Sequence, residues 1–468
     1  MLDSPSHPRA THVHDVLVVG GGPAGAACAY WLADAGWDVA LVERKRYPRE
    51  KTCGDGLTPR SVRQLADMGV DLSGAHRYRG LRAMGFGRML EMPWPDHPSF
   101  PPYGYTITRH DLDGLVAERA AKAGATVWQG SEAVAPLLAA GSGSPPPARG
   151  TRVPLAAPGA PGSGQPNPPL LPRCDGAVVA DREAGTTREV RARYVVVADG
   201  SNSRFGRSLG TWRDRSCPLG MALRGYFRSP RHDDEYIESH LDVRNAQGEV
   251  VPGYGWIFPL GDGRVNVGVG LLSTDRRWKG VNTSRLMEAF VDWAPRSWGI
   301  SPGTSLGPPT GGKLPMGLSV GPRTGVNTVV VGDASGVVNP FNGEGIAYGY
   351  ETGRLAAASL GDALSGGGPE ALAAYEARLE EAYRDYYAVA RGFVRLISNP
   401  RTMRVCVSTG MRSELFMSEL LRIMANLMRP DTKGAAEVGY RALQVIGRLL
   451  HGREPEEDPA EEVAVPAG

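Results

Sequence analysis

An apolar run at residues 16–19 feeds directly into three spaced glycines, Gly20, Gly22 and Gly25, and then into a small-residue stretch at 26–33. A second apolar run, 39–42, closes on Glu43. This order predicts strand, tight turn, helix, strand and acid, the βαβ unit that binds a dinucleotide. Each residue type has a task. Gly20 permits the sharp turn, Gly22 lets a pyrophosphate approach the backbone, and Gly25 lets the helix pack against the sheet. The helix start offers unpaired N–H groups and the positive end of a dipole to phosphate. Glu43 has the spacing of the acid that accepts from a ribose hydroxyl.

The chain has 468 residues, enough for two or three domains with a sizeable core. Its net charge is +2, and its basic residues are scattered or sit in short groups such as 44–46, which read as a solvated loop. Nucleic acid is therefore not an expected partner. Five cysteines without a CxxC spacing argue against a disulfide scaffold and a metal site, and fit a reducing, cytoplasmic compartment. The first residues lack an apolar signal core. No stretch reaches the ~18 apolar residues that would span a bilayer.

Further along, residues 108–120 carry apolar side chains three and four apart, predicting a helix that ends near Gly124, with a strand at 125–128. A Gly/Pro/Ser/Ala-rich segment follows, too poor in apolar groups to offset chain entropy, and is expected to be disordered. Alternating runs between 220 and 271 predict antiparallel strands, with residues 261–263 (Gly-Asp-Gly) as a hairpin turn. The chain after about Gly345 reads as helical.

Two more strand ends carry acids. Residues 195–198 lead into Asp199-Gly200, and residues 329–331 lead into Gly332-Asp333. Ligands of doubly wound sheets bind at such carboxyl ends. A glycine-bearing segment, 339–347, then opens a helix whose first N–H groups can face an anion or a ring carbonyl. The order of the three motifs resembles flavoproteins of the p-hydroxybenzoate hydroxylase fold over roughly residues 14–360. Two further stretches narrow the likeness. Residues 51–57, Lys-Thr-Cys-Gly-Asp-Gly-Leu, are similar to the Cys-Gly loop of geranylgeranyl reductases. Residues 252–259 match their P-x-x-Y-x-W-x-F-P pattern, with one residue fewer between Pro252 and Tyr254.

The resemblance implies an α/β (α+β) fold: a Rossmann-like FAD-binding domain, an inserted antiparallel-sheet substrate domain and a C-terminal helical region. The expected parts are a flexible tail (1–14), the FAD domain in three pieces (15–135, 174–213 and 323–365), the disordered insertion (136–173), the substrate sheet (214–322, with strands near 75–108) and the helical region (366–468). It implies FAD as cofactor, with NAD(P)H or a reduced protein carrier as electron donor, since only one dinucleotide fingerprint is present. It places Gly20, Gly22, Ala24 and Gly25 at the pyrophosphate, and Glu43 at the adenosine ribose. Cys53, Gly54 and Gly56 fall near the flavin, and Arg109 at the phosphate or ribityl region. Val134 is a further cofactor contact, Asp333 holds the ribityl chain, and Gly345 and Ile346 border the ring system. Tyr254, Trp256, Phe258 and Pro259 become substrate contacts. Cys53, Tyr254 and Trp256 are the candidate catalytic residues, and Asp55 is the other ionisable group of the loop.

Alternation along a strand puts Tyr254, Trp256 and Phe258 on one face, able to line a channel for an isoprenoid and to stabilise cationic character. Residues 414–428 and 442–450 read as amphipathic helices that pack inward or lie on a membrane surface. With 62 glycines and 38 prolines suggesting a GC-rich bacterial source, the resemblance implies a polyprenyl reductase. The menaquinone side chain leads as substrate, followed by geranylgeranyl diphosphate or a geranylgeranyl lipid, and contact is expected with the cytoplasmic face of the membrane. An aromatic monooxygenase, a flavin halogenase and a non-enzymatic lipid carrier are the alternatives; a W-x-W-x-I-P halogenase pattern is not met at 254–259. Glu43→Ala is expected to weaken FAD retention, read as flavin lost on gel filtration; full occupancy would contradict the ribose assignment.

Overall fold

The computed structural model describes residues 12–139, 171–251, 253–274, 280–429, 434 and 437–441. The expectations for residues 1–11, for 140–170, for Pro252 and for the second amphipathic stretch at 442–450 lie outside the described residues. The glycine-loop unit forms as the sequence requires: β1 (Val13–Val19), α1 (Pro23–Asp34) and β2 (Val39–Glu43). Both strands are almost wholly buried, which is why they read as unbroken apolar runs. They belong to a parallel sheet ordered Thr126–Gln129, β2, β1, the end of Thr186–Val197, and Thr328–Val330. The carboxyl ends of these strands carry Glu43, the Asp199 turn and the Asp333 turn to one edge.

The start of Thr186–Val197 instead pairs antiparallel with Cys174–Asp181, which pairs with Ser131–Leu138. The expected insertion is therefore shorter at both ends. Residues 136–138 are strand, with Leu138 opposite Cys174, and buried Leu171 bridges to Gly325. Cross-strand pairing and apolar burial hold these flanks despite Pro136. The helix expected from 108 is α3 if counted after α2 (Pro59–Asp67); it runs Arg109–Lys122, and the following strand is Thr126–Gln129.

A second sheet lies beside the first. Its order is Thr310–Pro315, Leu219–Arg228, Arg264–Leu272, Gly253–Pro259, Tyr236–His240, Gly80–Gly85 and Arg88–Pro93. Of the strands expected near 75–108, Gly80–Gly85 and Arg88–Pro93 join it, while His76–Tyr78 and Gly104–Thr106 form a separate three-stranded sheet with Gly56–Leu57. Residues 260–263 form the hairpin loop, with Gly261 and Gly263 at positive φ. The two faces of Arg264–Leu272 separate with period two. Val265, Val267, Val269 and Leu271 pack under the helix Thr283–Trp293, against Leu286, Met287 and Phe290. Asn266, Gly268 and Gly270 face the other way, toward Trp256 and Tyr254.

The chain then returns as Ile346–Asp362, which crosses α1 closely, and as the long Gly368–Ile397, whose Tyr375, Tyr383 and Tyr387 are buried against the first domain. Pro400–Gly410 and Glu414–Met424 close the outer end of the second sheet. There Val407, Met411, Met417 and Leu421 pack with Tyr78, Met92, Trp94 and Ile237. The amphipathic reading of 414–428 holds for Glu414–Met424: Met417, Leu421 and Ile423 turn inward, and Leu415 and Phe416 turn out.

In the glycine turn the backbone leaves no room for a side chain. Gly20 has φ +106°, and a Cβ on Gly25 would stand 1.9 Å from the Gly20 carbonyl oxygen. Gly25→Ala is expected to cost about 1–3 kcal/mol by overpacking, measured by urea unfolding; an unchanged midpoint would show that the turn relaxes freely.

A candidate flavin and lipid cavity

One cavity of about 1260 Å³ joins the glycine turn of the first domain to the apolar space between the second sheet and the C-terminal helices. That exceeds the roughly 300–1,000 Å³ of an ordinary small-molecule site. Gly20, Gly22, Ala24, Glu43, Arg109, Asp333, Gly345 and Ile346 all line it, as do Cys53, Gly54, Gly56, Tyr254, Trp256 and Phe258. The sequence-derived residues are therefore brought together from both domains.

At the turn, α1 starts at Pro23 with no side-chain cap, leaving its N–H groups open. A Cβ on Gly22 would meet nothing nearer than the guanidinium nitrogens of Arg49 and Arg109, each 4.0 Å away. This is an open cradle with two cations over it, and it fits a diphosphate. Glu43 is buried, and both of its oxygens are engaged. Oε2 accepts from the Gly21 N–H (2.9 Å) and Oε1 from the Lys45 N–H (3.0 Å), while Arg49 approaches at 3.3 Å. It thus pins the turn as well as lining the cavity. Asp113 holds both arginines: Arg109 binds it in a two-pronged pair (2.6 and 2.7 Å), and Arg49 reaches it at 3.0 Å. Arg49 and Asp113 escaped the sequence reading because their partners are distant in the chain or hidden in a helix.

At the far strand ends, Asp333 lies beside Gly345, and the helix Ile346–Asp362 begins there without a side-chain cap. Asp199 is different. Its carboxylate accepts from the Ser203 hydroxyl (2.5 Å) and the Phe205 N–H (2.9 Å), so it serves its own turn. Burial raises its pKa.

Residues 51–57 rest directly on the aromatic strand: Cβ atoms on Gly54 and Gly56 would meet Phe258 at 3.2 and 3.1 Å. Tyr254, Trp256 and Phe258 form a row on one face, with ring centroids 5.7 and 6.3 Å apart. Trp256 is 4 % exposed. Its indole N–H donates to the Asn266 Oδ1 (2.9 Å). The Asn266 amide in turn donates to the Cys53 carbonyl (2.9 Å) and to the Asp55 carboxylate (2.8 Å). Asp55 also accepts from the Tyr226 hydroxyl (2.7 Å) and the Arg109 N–H (3.1 Å), and it sits at φ +64°. Burial pushes its pKa up against the pull of those donors. The Cys53 thiol is pushed up by burial, so it favours the protonated form. Tyr254, whose hydroxyl donates to the Asn342 carbonyl (3.0 Å), is pushed up to about 12 by burial. Tyr226 gave no sequence signal. Asn266 did: it is a polar residue between two valines on a strand, facing away from them.

Three expected contacts are corrected. Val134 is 52 % exposed and outside the cavity, which this strand lines through Ser131, Glu132 and Ala133. Pro259 is buried behind the wall, its carbonyl accepting from the Thr106 hydroxyl, because alternation turns it away from Phe258's side. Gly25 lies under the turn against Gly20 and Ala198 rather than on the cavity surface. Among the described residues, a group with ligand atoms close enough for a metal is His12, His14 and Asp38, outside the cavity, with each imidazole hydrogen-bonded to the Asp38 carboxylate at 2.8 and 3.0 Å. Asn266→Ala would strand the Trp256 N–H and remove two donors from the loop. It is expected to cost at least about 1–3 kcal/mol, seen as a lower thermal midpoint; wild-type stability would show that the amide joins nothing essential.

Residues 13–143 match the family described as FAD binding domain, in agreement with the open cradle. The chain is 38 % identical over 446 residues to a menaquinone reductase of Mycolicibacterium smegmatis, covering 94 % of this chain and 98 % of the relative. It is 29 % identical to digeranylgeranylglycerophospholipid reductase 1 of Methanopyrus kandleri, covering 82 % and 90 %. A geranylgeranyl bacteriochlorophyll reductase-like protein from Thermoplasma acidophilum superposes with a TM-score of 0.71 at 21 % identity, over 93 % of this chain and all of that one, and shares the fold. An FAD-binding glycine turn and near-complete coverage at this identity place the chain in the menaquinone reductase family, among flavoproteins of the geranylgeranyl reductase type.

Proposed function

We propose that this FAD-dependent oxidoreductase saturates a carbon–carbon double bond of a polyprenyl chain, with the menaquinone side chain as substrate. The observation that carries the reading is the single cavity whose charged end suits a dinucleotide and whose other end is apolar. Past the aromatic row its walls are Leu81, Met92, Trp94, Ile237, Met417 and Leu421. An isolated alkene needs such a dry, apolar site, since it offers no polar handle.

FAD, when bound, supplies hydride. The protein's own groups do the rest. Gly22, Ala24 and the α1 start, with Arg49 and Arg109, would hold the diphosphate; Glu43 the ribose; Asp333 the ribityl hydroxyls; Gly345 and Ile346 the ring edge. Cys53 keeps its proton and acts as a small apolar or weakly donating neighbour rather than a nucleophile. Tyr254, Trp256 and Phe258 would line the isoprenoid's path and exclude water from it. Reducing equivalents would come from NAD(P)H or a protein carrier at the flavin.

The lipid would enter from a membrane surface. No helix among the described residues is long and apolar enough to cross a bilayer. Val405 (63 % exposed) and Phe416 (56 %) line the cavity yet face outward, with Leu415 (72 %) beside them. Arg401 and Arg404 are exposed on the short helix Pro400–Gly410, and Arg412 is exposed in the turn between it and Glu414–Met424. Exposed apolar side chains with exposed arginines close by in sequence suit the boundary of an anionic leaflet.

The test incubates FAD-loaded protein, chemically reduced, with menaquinone in anionic liposomes and weighs the quinone by mass spectrometry. The expected product gains two hydrogens for each double bond reduced. Trp256→Ala is expected to lower that turnover about tenfold, a transition-state loss of ~1.4 kcal/mol, with the flavin spectrum unchanged. An unaltered quinone, together with peroxide release on aeration and a hydroxylated aromatic product, would overturn the reading.

A further inference from the structure

His12 and His14 stand two apart at the entry to β1, so both imidazoles fall on one side of the incoming strand. Asp38 stands immediately before β2, the parallel neighbour of β1. The sheet itself fixes this juxtaposition. Val16 pairs with Val39, the Val16 N–H donates to the Asp38 carbonyl (3.1 Å), and the Asp38 N–H donates to Asp15 Oδ2 (3.2 Å). His12 Nε2 and His14 Nδ1 then converge on the Asp38 carboxylate, at 2.8 and 3.0 Å. His14 is buried, its ring meeting that of Trp128 edge-to-face at 5.6 Å, whereas the His12 side chain is 70 % exposed.

The two ring nitrogens and the carboxylate oxygen lie within 4.8 Å of one another, as three corners of a small polyhedron do. For zinc, with bonds of about 2.0–2.1 Å, the edges of a tetrahedron are about 3.3 Å. The N···O separations here are a few tenths of an ångström shorter, so a small outward swing of the exposed His12 side chain admits the ion. Each imidazole then carries its proton on its other ring nitrogen and turns a lone pair inward. Two imidazoles among three donors favour a transition ion over magnesium or calcium, which take oxygen ligands. A water on the exposed side completes the four-coordinate shell.

We infer that His12, His14 and Asp38 form a binding site for a divalent transition ion of the zinc type, independent of the flavin and lipid cavity. The site lies at the amino ends of β1 and β2, whereas the glycine turn and Glu43 lie at their carboxyl ends. The seven residues of β1, at about 3.3 Å each, separate the two by roughly 20 Å. An ion here does not reach the reacting atoms. It fastens the start of β1 to the start of β2, in place of the His–Asp hydrogen bonds, and stabilises the folded chain by mass action because the three ligands converge only there.

The test uses FAD-loaded protein freed of metal with a chelator and dialysed. Titrated with zinc chloride, wild type should bind one ion per chain with micromolar affinity or tighter, and its thermal midpoint should rise by about 2 °C or more. X-ray absorption at the zinc edge should show nitrogen and oxygen neighbours at about 2.0–2.1 Å with imidazole scattering, and no sulfur at about 2.3 Å. His12→Ala, a change at an exposed side chain, should fold and keep its FAD. It should lose at least ~100-fold in zinc affinity, since even groups that only orient a ligand are worth roughly 10–100-fold, and its midpoint should no longer respond to zinc. Millimolar binding by wild type, a sulfur neighbour, or zinc affinity unchanged in H12A would overturn the assignment.

Discussion

The amide of Asn266 is the joint on which the two halves of the cavity depend. Projecting from the second sheet, it accepts from Trp256 on the neighbouring strand and donates to Cys53 and Asp55 on the loop that leaves the first domain. Asp55 passes the link on to Tyr226 and to the backbone of Arg109. Every member of this chain is buried or nearly so, where a satisfied network is rigid and a half-satisfied one is costly. The position of the aromatic row relative to the glycine turn is thereby fixed by hydrogen bonds, although the two belong to different sheets.

Along the cavity the chemistry changes from one end to the other. Glu43, Arg49, Asp113 and Arg109 alternate in sign at the turn, so the two guanidiniums stay shaped and aimed without a bound anion. The middle holds groups that burial keeps protonated, Cys53 and Tyr254 among them. The outer end is formed by methionines, leucines and Trp94. Such a gradient lets one continuous space take a charged dinucleotide and a hydrocarbon chain, each where its desolvation is least unfavourable.

Local pattern carried the parts that local physics decides. The glycine turn, the acids ending three parallel strands and the one-sided row at 254, 256 and 258 are all periodic or positional signals, and the fold places them as read. Partnerships across long sequence separations were not legible. Nothing around Tyr226 marks it as a hydrogen-bond partner of Asp55, 171 residues away. Val134 and Pro259 went astray for a simpler reason: family likeness assigns a position, while the strand's alternation decides which way its side chain turns. The long helical tail was readable as helix, but its closure over the outer strands at 80–93 depends on tertiary contact alone.

The seating of Gly54 and Gly56 on the Phe258 ring has a consequence for how this enzyme can vary. A Cβ at 54 or 56 would press on the Phe258 ring at 3.2 or 3.1 Å, so the ring must shift for either side chain to fit, and the effects of changes at the two places are coupled. The shape of the cavity at this point is therefore set jointly by the loop and the strand, and a substitution in one is felt by the other.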